Sequence, residues 1–335
     1  MGKLIRSIDR YSLMLLATVL LATILPCRGT AAEVLGIVSK VAIALLFFLH
    51  GAKLSREAIL AGLTNWRLHL LVLASTFVMF PLLGLGIAEA TSPFLTPALV
   101  SGILFLTLLP STVQSSIAFT SIAGGNVPAA ICAASASNMA GIFITPLLAT
   151  VLMGSAAGGG DSLAAVEAIA LQLLLPFLVG HLARPLVGGP IGRHKSLVST
   201  VDRGSILLVV YTAFSAAVVQ GLWTRLPLWQ LVAVVAISVV LLAIVLTITT
   251  VVSRRLGFSH EDEAAIVFCG SKKSLASGVP MAGVLFPAAQ VGAIILPLMI
   301  FHQLQLLACA SIAQRYARRA ERKAVPDEAE PIGAD

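Results

Sequence analysis

The sequence predicts an all-α, polytopic membrane protein with ten transmembrane helices, arranged as two inverted five-helix repeats in which helices 4 and 9 are discontinuous. Three observations predict it. The composition is too apolar for a water-facing surface. The apolar runs have the length of membrane-spanning helices. Two of those runs carry matching polar interruptions.

Of 335 residues, 58% are hydrophobic and 11% charged, and the mean hydropathy is +0.99. A soluble domain carries roughly 25% charged residues, so the bilayer must be the solvent for most of this chain. The net charge of +7 would suggest nucleic acid in a soluble protein. Here the basic residues sit in short loops and at the ends of apolar runs, and no nucleic-acid partner is expected. Cys27, Cys132, Cys269 and Cys309 are scattered, with no C-x-x-C pair and no metal spacing. Three of them lie in apolar segments, where cysteine acts as a small hydrophobe.

A helical span takes roughly 20 mostly apolar residues. Candidate spans cover 11–26, 34–50, 68–88, 96–121 and 127–152, then 162–183, 204–220, 229–252, 262–286 and 289–314. They lack period-two alternation and run well past the roughly ten residues of a barrel strand. Only helices then satisfy the backbone in lipid. Lys3, Arg6 and Arg10 before the apolar run Tyr11–Leu25 mimic a signal peptide, but the long run and the many spans after it indicate an uncleaved first span.

Placing both termini in the cytoplasm puts seventeen basic residues inside, among them Lys53, Arg56, Arg67, Arg184, Arg193, Arg203, Arg254, Arg255, Arg315 and Arg318, and two outside, Arg28 and Arg225. That bias sets the orientation, supports an even number of spans, and fits a multi-pass protein of the plasma (inner) membrane. The Gly-rich loop 153–161 separates the first repeat, 1–152, from the second, 162–316. A cytoplasmic tail, 317–335, follows; its acidic end, from Ala324, is expected to be disordered.

The fourth span contains Leu109-Pro110-Ser111-Thr112-Val113-Gln114-Ser115-Ser116, then Gly124-Gly125-Asn126. The ninth contains Gly270-Ser271-Lys272-Lys273-Ser274, then Gly278-Val279-Pro280. Each is a polar, Gly/Pro-interrupted patch, and they hold corresponding places in the two halves. Such a pair points to the discontinuous helices of an inverted-repeat transporter. Broken helices leave N–H and C=O ends at mid-membrane, tolerated only where protein or a water-filled cavity satisfies them, and these ends suit ions and polar solutes. The alternative is that Pro110 and Pro280 only kink their spans while the serines bond back to carbonyls. The expected crossing residues are Pro110, Gly124, Gly125, Gly270, Gly278 and Pro280.

At these residues the chain resembles the bile acid:sodium symporter superfamily (solute carrier family 10), most closely its SBF-like branch. The resemblance rests on Phe47–Leu54, on Pro110-Ser111-Thr112 through Gly124-Gly125-Asn126, on Gly270–Leu275 and on Phe301-His302-Gln303-Leu304-Gln305-Leu306. It implies a panel of helices 1, 2, 6 and 7, a core of helices 3–5 and 8–10, and unwound helices 4 and 9 crossing near the membrane centre. It also implies two sodium ions behind the crossing and an organic anion in the panel–core crevice. Carried over residue by residue, the sodium ligands depart from the family. A Ser-Asn pair becomes Ser115 and Ser116. A ligand Glu falls near Phe268, a Gln at Lys272 and the next Asn at Lys273. Hydroxyl ligands of helix 5 fall near Ala130 and Ala134, with Ser135, Ser137 and Asn138 close by. The carboxylate is gone and ammonium groups have arrived, which offer donors only. A fixed cation there replaces a sodium ion electrostatically or forms an anion site, and two-sodium coupling is in doubt.

The expected solute and ion residues are Gln114, Ser115, Ser116, Ser135, Asn138, Ser271, Lys272, Lys273, Ser274, His302 and Gln303. A lysine at the bilayer centre costs about 2.5–3.5 kcal/mol on insertion scales, so two adjacent ones imply a use unless they snorkel to the surface. His50 and His302 are open to two readings, proton carriers or packing residues. Lys40 either snorkels or lines a cavity. A serine–lysine dyad would make an enzyme, but the adjacent spacing disfavours it, and neither H-E-x-x-H nor G-x-S-x-G occurs. The expectation is a secondary transporter of a small organic anion working by alternating access, with sodium or proton as coupling ion and no other cofactor. A transporter-like membrane regulator is the alternative, since fold does not fix function.

Overall fold

A computed structural model describes residues 10–53, 65–154 and 170–324. Lys3, Arg6, Arg56, nearly all of the Gly-rich loop, the start of the sixth expected span and the tail from 325 lie outside the described residues. Every regular element among the described residues is helical. Among the described residues seven helices are long and apolar enough to cross a membrane, and Leu13–Ile24 and Pro97–Leu108 are shorter apolar helices.

In chain order these are α1 (Arg10–Ile24), α2 (Thr30–Lys53), and α3 (Trp66–Ala74) running through a π-helical turn (Ser75–Met79) into α4 (Phe80–Thr91). Then come α5 (Pro97–Leu108), α6 (Gln114–Ile122) and α7 (Val127–Met153). A π-helical turn at Ala170–Leu174 opens α8 (Leu175–Arg193), followed by α9 (Lys195–Val219), the single turn α10 (Leu222–Arg225) and α11 (Leu228–Arg255). The chain continues through α12 (His260–Gly270), α13 (Leu275–Leu285) and α14 (Ala288–Ala324). The sixth expected span ends at 183, yet α8 continues to Arg193 and α9 begins at Lys195, so Arg184, Arg193 and Arg203 sit on helices rather than in a loop. Hydropathy marks only the lipid-embedded part of a helix, which is free to continue into water.

The solvent of this fold is legible in its burial. Leu182, Leu186 and Leu228 are 77%, 83% and 75% exposed, whereas Lys272, Lys273, Ser111, Ser116 and Gln305 are 0% exposed. That is the reverse of a water-soluble protein and matches a protein whose outer face meets lipid tails. Phe80 packs edge-on against Phe301 and Phe105 against Phe286, tying α4 and α5 to α13 and α14.

Small residues set the helix contacts. A Cβ on Gly51 of α2 would collide with the Phe177 carbonyl, and one on Gly180 of α8 would collide with the Phe48 carbonyl. This reciprocal pair lets the two backbones approach closely, the device that replaces hydrophobic driving force between helices in lipid. α1 and α2 also pack on α9, while α5 packs on α14. α12 lies against α3, α6, α7 and α11.

Two helices are interrupted. α12 has 11 residues, a length of roughly 16 Å, about half of a ~30 Å hydrocarbon core. α13 has 11 and α5 has 12. Each break therefore falls at mid-depth. The first has a simple cause: Leu109 is extended (φ −75°, ψ 155°) because a residue before proline is pushed out of the helical region, and Pro110 brings no N–H. The second break ends at Ser274, whose hydroxyl accepts from the Ser277 N–H and caps α13.

Candidate functional site

The two breaks cross and are bonded to each other. Ser274 N–H donates to the Pro110 carbonyl at 2.9 Å. Each half-helix that ends at the crossing has its carbonyl end covered by side chains of the other broken helix. For α12, the Ser111 hydroxyl donates to the Cys269 carbonyl (2.5 Å) and the Ser116 hydroxyl to that of Phe268 (2.8 Å). For α5, Lys273 Nζ donates to the carbonyls of Thr107 and Leu109, both at 2.7 Å. Thr145 of α7 covers the Leu108 carbonyl at 2.8 Å. These are the orphan acceptors that any helix C-terminus carries.

Lys273 Nζ makes a third bond, 2.8 Å, to the Thr76 carbonyl, and the ammonium sits 4.0 Å from the centre of the Phe80 ring. Its main chain is held as well. Lys273 N–H donates to Gln305 Oε1 (2.9 Å), and Gln305 Nε2 donates back to the Lys273 carbonyl (3.0 Å). Gln305 Nε2 also lies 2.9 Å from His302 Nδ1. Lys272 points elsewhere. Its Nζ donates to the Ser115 carbonyl at 3.0 Å and stands 3.9 Å above the Phe119 ring and 5.5 Å from that of Phe268, a cation–π contact in a desolvated setting. Neither lysine snorkels.

α7 completes the crossing. Asn138 Nδ2 donates to the Ser111 carbonyl at 2.6 Å and its Oδ1 accepts from the Ser277 hydroxyl at 2.7 Å, so one amide bridges both breaks. The Ser111 N–H donates to Ser137 Oγ at 3.0 Å. A Cβ on Gly141, one turn further on, would come within 2.6 Å of the Pro110 ring.

The crossing thus brings together Ser115, Ser116, Asn138, Lys272, Lys273, Ser274 and, through Gln305, His302. Ser271 returns its hydroxyl to Val267 of its own helix at 2.6 Å. Ser137 and Gln305, neighbours of Ser135 and Gln303, bond to the crossing. Pro110, Gly270 and Gly278 lie at the breaks or beside them; a Cβ on Gly278 would strike Leu109, and one on Gly270 would meet Ser75 at 3.3 Å. Pro280 lies inside α13.

Gly124 and Gly125 are elsewhere. They close α6 at its far end, with Gly124 at φ +68°. Gly125 N–H bonds to the Thr120 carbonyl and Gly124 N–H to that of Ser121, the paired bonds of a Schellman cap. There they meet the start of α12, where Asn126 caps α7 and donates to Asp262 at 2.8 Å. The buried carboxylate of this region, Glu263, is also at that end, bound by Arg254 through both oxygens and by Tyr316.

His50 Nδ1 contacts the Leu46 carbonyl at 2.8 Å, and Lys40 is on the exposed side of α2. Sequence reasoning missed Thr76, Thr107 and Thr145 as partners of the crossing. Pro81 signals a stranded carbonyl in the turn before it; the π-turn, in which Phe80 N–H goes to Ser75, moves that vacancy from Phe77 to Thr76.

Gln114, the first residue of α6, faces a different space. It lines a cavity of about 820 Å³ with Ala52 of α2, His181 and Arg184 of α8, and Ser199 and Asp202 of α9. His181 Nδ1 is buried without a hydrogen-bond partner among the described residues.

Among the described residues no group of three or more His, Cys, Asp or Glu side chains is placed to hold a metal ion. Backbone carbonyls, hydroxyls and the side-chain amides of Asn138 and Gln305 supply the oxygens at the crossing.

The sequence profile of the SBF-like CPA transporter family matches residues 9–318. A Pseudomonas aeruginosa protein, the uncharacterized PA2026, is 60% identical over 311 residues, covering 93% of each chain. YfeH of Escherichia coli strain K12, whose name marks it as a candidate symporter, is 54% identical over 320 residues, covering 96% of each. Sodium/bile acid cotransporter 7 of Rattus norvegicus is 29% identical over 276 residues, 81% of this chain and 80% of its own. The crossed, carbonyl-capped half-helices and these similarities lead to one assignment: the chain belongs to the SBF-like CPA transporter family and is a transporter of the bile acid:sodium symporter type, not an enzyme.

Proposed function

We propose that the chain moves a small organic anion by alternating access, with two inverted five-helix halves forming a panel of α1, α2, α8 and α9 and a core that carries both broken helices. The observation that carries this reading is the cavity. One wall is built by α2, α8 and α9, with Arg184 and the unpartnered His181 nitrogen; Gln114, at the N-terminus of a half-helix, stands on the other. The first N–H groups of a helix have no intrahelical acceptor and carry a partial positive charge, so an anion is favoured there. Asp202 on the same wall selects against large polyanions and suits a solute carrying one or two negative charges. A space between two bodies that rock against each other is where a solute meets alternating access. Neither lysine lines it.

With both termini in the cytoplasm of the plasma (inner) membrane, as the basic residues favour, Arg184 marks the cytoplasmic mouth and the cavity faces inward. The rat relative's name couples sodium to bile acid; the cargo proposed here is the wider class of small organic anions.

The test is a thermal-stability screen of the purified protein against organic anions and cations, followed by flux in proteoliposomes. A solute that binds the folded state raises its melting temperature by mass action. Anions that stabilise wild type, lose that effect in Arg184→Glu and are transported would support the reading. Equal shifts in both proteins, or no shift from any anion, would move the weight to a regulator without solute transport.

A further inference from the structure

We infer that Lys273 Nζ fills a carbonyl cage built for a monovalent cation, so that the crossing is held by an ammonium of the chain itself and takes up no sodium ion there. The cage consists of the carbonyls of Thr76, Thr107 and Leu109, at 2.7–2.8 Å from Nζ.

Each of these carbonyls lacks a helical donor for a reason written in the sequence. In the π-turn Phe80 N–H goes to the Ser75 carbonyl, and Pro81, the next residue in register for Thr76, has no N–H. Thr107 would receive Ser111 N–H in an unbroken helix, but that N–H is turned to Ser137 Oγ. Leu109 is the extended residue of the break itself. Three stranded carbonyls from two chain segments converge on one point.

Unwound carbonyls and half-helix C-terminal ends are the groups with which broken-helix transporters coordinate sodium, and carbonyl clusters hold monovalent cations in place of water. The end of α5 adds the negative pole of a helix dipole. An ammonium brings one positive charge and three donors, one for each carbonyl, at distances typical of charge-assisted bonds. The Phe80 face closes another side. Lys272 has no such cage: among the described residues the carbonyl it donates to is that of Ser115. The inference concerns what holds the crossing and stands whether or not the cargo is an organic anion.

The experiment measures melting temperature of the full-length purified protein in sodium chloride, n-propylammonium chloride and choline chloride at equal ionic strength. Wild type should melt at the same temperature in all three. Lys273→Ala should melt lower in choline, and sodium or propylammonium should recover most of the loss in a saturable way. Lys272→Ala should show no such recovery. A saturable sodium-dependent rise in wild type overturns the inference, as does a folded Lys273→Ala that responds to neither cation, or equal recovery in Lys272→Ala. Should Lys273→Ala not be obtained folded, Lys273→Ser purified in propylammonium takes its place. If neither variant folds in any of the salts, the wild-type comparison decides by itself: sodium independence supports the cage and sodium dependence overturns it.

Discussion

Pro81 and Lys273 are 192 positions apart in the chain, and the group that one lacks is supplied by the other. The missing N–H of Pro81 leaves the Thr76 carbonyl open, and Lys273 Nζ donates to it at 2.8 Å. The π-turn before α4 is therefore part of the crossing rather than an irregularity of a neighbouring helix, in keeping with the frequent placement of π-turns at functional sites.

Pro81→Ala should let α4 regularise and offer Thr76 a competing donor. The expected loss is about 1.5–3 kcal/mol, the range for a hydrogen bond to a charged group. Because the proline acts through the lysine, Pro81→Ala and Lys273→Met should be less than additive in a double-mutant cycle read by denaturation. Additive losses would mean that the two residues are energetically independent.

Gly141 and Gly86 separate crossing geometry from the general cost of touching a membrane helix. A Cβ at Gly141 meets the rigid Pro110 ring at 2.6 Å, whereas one at Gly86 meets nothing within 4 Å. Gly141→Ala should displace the break, destabilise by about 1–3 kcal/mol and depress flux. Gly86→Ala should be neutral or gain up to about 1 kcal/mol in helix propensity. Melting curves and uptake on the two variants check this, and equal behaviour would show that the Pro110 contact has no consequence.

The crossing was legible because its strongest members are out of place. Lys272 and Lys273 stand in an apolar run, Pro110 interrupts another, and Asn138 is an amide in a helix otherwise built of small and apolar residues. What stayed hidden has a physical reason. Thr145 reaches across to another helix, whereas Thr91, Thr150 and Thr249 return their hydroxyls to their own helices. A hydroxyl's residue type does not say which it will do. Gln303 and Gln305 are likewise indistinguishable until the rotation of α14 is known, and that rotation depends on packing against α5 and α9. Gly124 and Gly125 follow the break within a dozen or so residues, and sequence proximity alone groups them with it. The Schellman cap shows that their role is to end α6, a role that Gly-Gly-Asn fits better than a membrane midpoint. The cavity was the least legible feature, since Gln114, Arg184 and Asp202 come from three helices and share no sequence pattern.

Arg184 is the cavity residue whose charge bears on the cargo. Arg184→Glu should abolish stabilisation by organic anions, and Arg184→Lys should retain part of it, because lysine keeps the charge and loses the planar two-pronged geometry. Melting temperature without solute serves as the control: a variant that has lost anion response at an unchanged basal melting temperature has lost a binding group, whereas a fall in both would assign Arg184 to architecture.

Asn138 offers the sharpest division between holding the crossing and binding a solute, since both ends of its amide are occupied by protein. Nδ2 donates to the Ser111 carbonyl and Oδ1 accepts from Ser277. Asn138→Asp keeps the shape and the acceptor but loses the donor, leaving the Ser111 carbonyl facing a carboxylate. Asn138→Ala leaves both partners unmatched, at about 1–3 kcal/mol for each buried group. Both variants should melt earlier than wild type. Restoring the bridge should matter more than restoring polarity, so Asn138→Gln, with its amide displaced by one methylene, should rescue little. If instead Asn138→Ala melts like wild type and only its response to solute is altered, the amide belongs to the cargo site and the bridge between the two breaks is incidental.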